Sequence, residues 1–224
     1  MKKELLLFCS SNYTNVNNDL LINKYKLFDK VNLLNENDLD DYIKGIINNI
    51  IDKYGIRGYG YWIWKPYIIL QELNKLNNGD ILVHLDCHCK LDKIKNNFES
   101  IVNQLNKDKL IIAINGTNDL SHTTTKLKEA VEDEMNYKVS LEELGSFQYE
   151  AGILFIKKCD FTINFFTKYL DIMMNHIDVI TDIYNNDESN YKDFIENRHD
   201  QSVCSLLAKY YKVNNFNITW ELLH

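Results

Sequence analysis

Two runs, LLLFC at residues 5–9 and ILVHL at 81–85, are apolar at almost every position. An amphipathic strand alternates, whereas a strand covered on both faces does not need to, so such runs predict buried strands of a largely parallel sheet. LIIAI at 110–114 and GILFI at 152–156 read as further strands, and a short one is expected around Val31 to Leu34. Between them the apolar spacing changes to three and four. Leu39, Tyr42, Ile43, Ile46, Ile47, Ile50 and Ile51 predict an amphipathic helix with Asp38 as its cap. Ile69, Leu70, Leu73 and Leu76 predict a second, with Pro66 in its first turn and Gly79 at its end. Helices are also expected at 93–106, 161–177 and about 200–211, and a polar segment from 115 to about 145. Strands alternating with helices define an α/β fold.

Several classes are disfavoured by composition. The 224 residues suit one domain, 1–224, with no Pro/Gly/Ser-rich linker to divide them. A net charge of −7, with lysines interleaved among acids, offers no basic stripe for a phosphate backbone, so nucleic acid is not expected as a partner. Five cysteines at irregular spacing do not make a disulfide framework, which points to a reducing, cytoplasmic setting. MKKELLLFCSS has too short an apolar run for a signal peptide, and no run approaches a transmembrane span.

The chemistry concentrates in two adjacent segments. RGYGYWIWKPYIIL, residues 57–70, gathers aromatics, two glycines, Arg57, Lys65 and the only proline. GDILVHLDCHCKLD follows, and Asp86 lies at the carboxyl end of its strand, where open parallel sheets bind ligands. A structural zinc site would need a second Cys or His pair, which the sequence does not offer at suitable spacing. Core packing accounts for His84 and the cysteines taken singly. Asp86 and His88, two residues apart, can instead face one cation with open positions, His88 favouring Mn²⁺ over Mg²⁺ or Ca²⁺. The glycines of Gly58-Tyr59-Gly60 do not form a dinucleotide fingerprint, since the third glycine is missing.

Asp86-Cys87-His88 resembles the Asp-x-Asp motif of the GT-A class of nucleotide-sugar glycosyltransferases, with His88 in place of the last carboxylate. QYEAGILFIKK at 148–158 is similar to the strand that lines the sugar pocket in that class. RHDQSVCSLLAKYY at 198–211 is similar to the helix start where an Asp-Gln pair of the family-8 type faces the donor sugar. GYWIWKP before GDILVHLD resembles sugar transferases of bacterial polysaccharide clusters and large DNA viruses. The resemblance spans about residues 4–211 and implies a single GT-A (Rossmann-like) domain, with a mixed, mainly parallel sheet flanked by helices.

That resemblance implies a metal-dependent transfer of a sugar from a nucleotide diphosphate donor, a UDP-sugar, to a glycan or glycoconjugate acceptor. Mn²⁺ or Mg²⁺ would sit on Asp86 and His88, with His224 or His199 as third ligand; His224 could equally be a frayed end. Ser10, Asn12 and Tyr13 would lie by the base. Arg57 and Lys65 would meet phosphate, and Tyr59, Tyr61, Trp62 and Trp64 would wall the site, at least two of these rings also packing in the core. Lys65 could otherwise be a solvated helix end. Glu150, Asp200 and Gln201 would stand beside the sugar, against the alternatives of a surface ion pair for Glu150 and a helix cap for Asp200. His122 is expected in a loop over the acceptor or at a helix cap. Two other functions compete: a non-catalytic sugar- or nucleotide-binding protein of degenerate transferase fold, and a nucleotidyltransferase, against which the absence of a Gly-rich phosphate loop near Ser10 counts.

Overall fold

The computed structural model describes residues 1–11, 26–89 and 97–217. Its described strands form one sheet in the order β2-β1-β3-β5-β4-β6, from β1 (Lys3–Phe8), β2 (Lys30–Leu34), β3 (Ile81–Asp86), β4 (Leu110–Asn118), β5 (Phe147–Lys157) and β6 (Asn214–Asn217). β1 pairs in parallel with β2 and β3, and β6 runs parallel to β4. β5 lies antiparallel to both β3 and β4. The result is the mixed, mainly parallel α/β sheet that the apolar runs predict, with helices on both faces.

Pleating divides the strand side chains between two cores. Leu6, Phe8, Leu82, Ile112 and Leu154 face the larger one, built with helices α1 (Asp41–Tyr54), α2 (Trp64–Lys75), α5 (Thr125–Met135), α7 (Asp160–Asn175) and α8 (Asp200–Tyr210). Leu5, Leu7, Val83, Ile111 and Phe155 face the smaller one, closed by α3 (Phe98–Asp108) through Phe98, Ile101, Val102 and Leu105. Burying four such side chains stabilises the α3 layer by about 1.5–3 kcal/mol apiece before entropy is counted. No helix among the described residues is long and apolar enough to cross a membrane.

Several local expectations are corrected. The cap of α1 is Asp40, whose carboxylate accepts from the Ile43 N–H at 3.1 Å, whereas Asp38 closes a capping box on Asn35 two residues earlier. α2 ends at Lys75, and Gly79 (φ 92°) serves the turn into β3 instead. The polar segment before residue 145 holds α4 (Asp119–His122), α5 and α6 (Leu141–Gly145), capped by Asn118, Thr124 and Ser140. His122 is therefore a buried helical residue, 5% exposed, rather than part of a loop over an acceptor.

Candidate functional site

The carboxyl ends of β1 and β3 lie side by side, with Phe8 in register with Asp86. A cleft of about 510 Å³ opens there, between the turn before α2 and the segment that leads into α8. The N-termini of α2 and α8 both reach this cleft through Trp64, Lys65, Asp200 and Gln201.

The turn before α2 accounts for the glycines. Gly58, Tyr59, Gly60, Tyr61 and Trp62 carry φ of 55°, 50°, 83°, 54° and 61°, a run in the left-handed region. Each non-glycine residue there costs about 1–2 kcal/mol, so the surroundings must hold the turn in place. A Cβ on Gly58 would come within 2.4 Å of the Trp62 indole, which therefore rests on bare backbone. The Trp64 Nε1–H donates to the Gly58 carbonyl at 3.0 Å, and its ring stacks on Phe8 at 4.0 Å between centroids. Trp64 and Tyr61 are buried core rings whose edges or neighbours meet the cleft, whereas Tyr59 and Trp62 are half-buried along its wall.

Lys65 lies 2% exposed beneath that wall, which overturns its alternative as a solvated helix end. Its ammonium is 3.2 Å from Asp86 Oδ1, 3.4 Å from Asp86 Oδ2 and 2.9 Å from Asp200 Oδ2. Asp86 also approaches His84 Nε2 at 3.4 Å, and Gly152 leaves it room, since a Cβ there would meet its carboxylate at 2.7 Å. Tyr169 Oη–H donates to the Asp200 carbonyl at 2.9 Å and lies 3.3 Å from its carboxylate. Burial pushes both acids up, but at Asp86 the Lys65 charge and His84 outweigh it and hold the carboxyl below its usual range. At Asp200 burial wins over Lys65, and the carboxyl titrates above its usual range. Burial opposes the charge of Lys65, and the two carboxylates override it, so the ammonium is held above its ordinary value. Of two acids sharing one cation, Asp86 is the more firmly ionised and Asp200 the more readily protonated.

The segment entering α8 carries a second strained residue. His199 has φ 53° and ψ −120°, and Gln201 N–H donates to the Arg198 carbonyl at 2.9 Å, which is the geometry of a type II′ turn with His199 where glycine is favoured. Its ring stacks on Trp62 at 5.5 Å with an 18° tilt. Nδ1 bonds the Ile180 carbonyl at 2.8 Å and must carry the proton, while Nε2 lies 3.7 Å from Asp182. Burial, with Arg57 nearby, pushes the His199 pKa down to about 4. Arg57 forks onto Asp182 through Nη1 at 2.8 and 3.0 Å. Arg198 bonds the Thr117 hydroxyl at 3.1 Å and keeps Glu196 at 3.8 Å.

Of the residues expected in a site, Ser10, Arg57, Trp64, Lys65, Asp86, His88, Asp200 and Gln201 all line this cleft. Glu150 does not line it; it is 8% exposed on β5, where the antiparallel course sets Gly152, rather than Glu150, against Asp86. Asn12, Tyr13 and His224 lie outside the described residues. Asp200 is not the cap of α8 but its first residue, turned toward Lys65. Gln201 extends away through Gln148 (2.7 Å) to Asp119, which pairs with Lys209 behind the cleft. Neither Arg198 nor the structural part of His199 is marked by a motif, although both stand next to the Asp-Gln pair. Adjacency to that pair is the signal that could have found them.

Among the described residues no three His, Cys, Asp or Glu side chains converge as metal donors. Asp86 and His88 share the cleft, yet both Asp86 oxygens already face the Lys65 ammonium. Among the described residues, Asp86 and His88 with Lys65 in place do not make a donor set that fits Mn²⁺ or Mg²⁺.

The sequence matches no protein-family model and no curated protein. Among solved structures, mouse xyloside xylosyltransferase 1 in its apo form is similar at 10% identity and a TM-score of 0.39, over 96% of this chain and 71% of that one, a likeness too faint to bear on activity.

Proposed function

We propose that this chain is a glycosyltransferase that moves a sugar from a nucleotide diphosphate donor, a UDP-sugar, to a glycan or glycoconjugate acceptor. The observation that carries this reading is convergence: the strand-end Asp86, the Gly58–Lys65 segment and the Asp200-Gln201 helix start, far apart in sequence, meet in one cleft. A volume of about 510 Å³ suits a small polar ligand of this kind.

Each group has a role that its environment supports. Tyr59 and Trp62 offer half-buried ring faces to a sugar or base. Arg198 supplies charged donors for phosphate oxygens, whereas Arg57, on the same cleft, is paired with Asp182. Asp200 is suited to take the acceptor's proton, because its carboxyl is held above the usual range while its position is fixed by Lys65 and Tyr169. Asp86 keeps Lys65 in place between them. The positive ends of α2 and α8 add to the stabilisation of charge that develops on the leaving diphosphate.

The test is incubation with a panel of nucleotide sugars, following release of free nucleoside diphosphate. Asp200→Asn keeps the shape and should lower turnover by roughly 10² or more while donor still binds. A donor that binds and is never consumed, with or without acceptor, would leave the binding-protein reading in its place.

A further inference from the structure

We infer that the resident cation of this cleft is the Lys65 ammonium, standing where a divalent ion would otherwise join the carboxylates, and that a diphosphate is engaged by Arg198 without a metal. The geometry is that of a filled cation site. One buried Nζ lies 3.2 and 3.4 Å from the two oxygens of Asp86 and 2.9 Å from Asp200, and the side chain is 2% exposed. A second cation on Asp86 would stand within a few ångströms of that ammonium in a partly desolvated site, where like charges repel far more than in water. Lys65 is itself buried at the start of α2, with Trp64 and Pro66 on either side of it buried as well. Among the described residues no three His, Cys, Asp or Glu side chains converge to hold a metal while Lys65 is in place.

One ammonium between two carboxylates leaves no surplus positive charge for a diphosphate, so that charge must come from elsewhere on the cleft. Arg57 is committed to Asp182 through both carboxylate oxygens. Arg198 is held chiefly by a neutral hydroxyl, Thr117 at 3.1 Å, with Glu196 at 3.8 Å. It opens on the cleft one residue before the strained His199 turn that fixes the start of α8. A guanidinium held by one hydroxyl and a longer carboxylate contact can turn its charge to a phosphate more readily than one forked onto a carboxylate.

The Lys65 part stands on geometry alone; only the identity of the anion rests on the transferase reading. Two titrations on the full chain separate them. Mn²⁺ alone, followed by water-proton relaxation, should bind the wild type no better than millimolar, and Lys65→Met should acquire a tighter site on the vacated Asp86 and Asp200. UDP, titrated calorimetrically in excess EDTA, should bind as well as with Mn²⁺, and Arg198→Gln should weaken it about 10–100-fold, the size of one lost charge-assisted hydrogen bond. Micromolar Mn²⁺ binding by the wild type, or UDP binding that EDTA abolishes, overturns the inference while leaving the transferase reading intact. UDP that binds under neither condition overturns the diphosphate assignment and that reading together, while the Mn²⁺ titration still decides Lys65. Should Lys65→Met fail to fold, the wild-type Mn²⁺ titration decides the role of Lys65 by itself.

Discussion

At the scale of single residues, the cleft holds two groups whose stability effects have opposite chemistry. Lys65→Ala removes the one cation between Asp86 and Asp200, leaving buried carboxylates with nothing to offset their desolvation. Breaking a buried pair this way costs about 3–5 kcal/mol, so urea unfolding should register a loss of that order, with Lys65→Arg losing less. His199 instead fails by gaining charge. Its folded pKa near 4 lies below the unfolded value of 6.5, so between those values the unfolded chain binds a proton that the native chain does not. Stability present above pH 6.5 is therefore lost as pH falls toward 4. Between pH 7 and 5 the loss amounts to roughly 2 kcal/mol from this ring. Burial pushes the Asp182 carboxyl beside the ring up, but the charges of His199 and Arg57 outweigh it, so this acid titrates below that range. Comparing wild type with His199→Gln at both pH values isolates the histidine: the variant should show the shallower decline.

At the scale of elements, glycines separate a held turn from a tolerant helix. Gly58→Ala places a Cβ at φ 55° and 2.4 Å from the Trp62 ring, so the left-handed turn must shift. A loss of about 2–4 kcal/mol is expected, with a change in tryptophan fluorescence as Trp62 leaves its seat. Gly45→Ala, exposed in the interior of α1 with no neighbour within 4 Å, should stabilise by about 0.5–1 kcal/mol. Equal effects at both positions would mean that the turn is not held as described. The sequence made the glycines conspicuous but not their job. Gly58 and Gly60 are recognisable as turn residues, yet which ring rests on which glycine is decided by tertiary packing. The caps divide in the same way. DLDD offers three carboxylates, Asp38, Asp40 and Asp41, and the choice of Asp40 over Asp38 follows from Tyr67 and Gln71 on α2, which bond Asp40 from the next helix. Ser140 and Glu143 formed a readable capping box that the segment's polarity obscured.

At the scale of the whole molecule, the α/β class was legible because strands covered on both faces are apolar throughout, and helices are not. Strand direction was not legible. Nothing in GILFI distinguishes the antiparallel β5 from a parallel neighbour, and Glu150 was set beside the sugar by the resemblance of QYEAGILFIKK alone, which does not say which side chains of the strand reach the cleft. The cleft's location followed from the strand-end rule, but the Lys65–Asp200 contact joins residues from opposite halves of the chain and leaves no local trace. That long-range assembly supports a last prediction. Because the cleft draws its walls from residues as distant as Phe8 and Gln201, a ligand seated there ties together segments that separate only when the fold opens. Binding to the native state alone stabilises by mass action, about 2.7 kcal/mol at a ligand concentration of 100 times Kd. For a chain of 224 residues this corresponds to a rise in Tm of roughly 5–10 °C. UDP should produce that rise in thermal unfolding carried out in EDTA, and inorganic phosphate at equal concentration should produce less, lacking a base and ribose for Tyr59 and Trp62. A Tm indifferent to UDP at every concentration, with Lys65 and Asp200 intact, would mean that the convergence of these residues serves the fold and not a nucleotide.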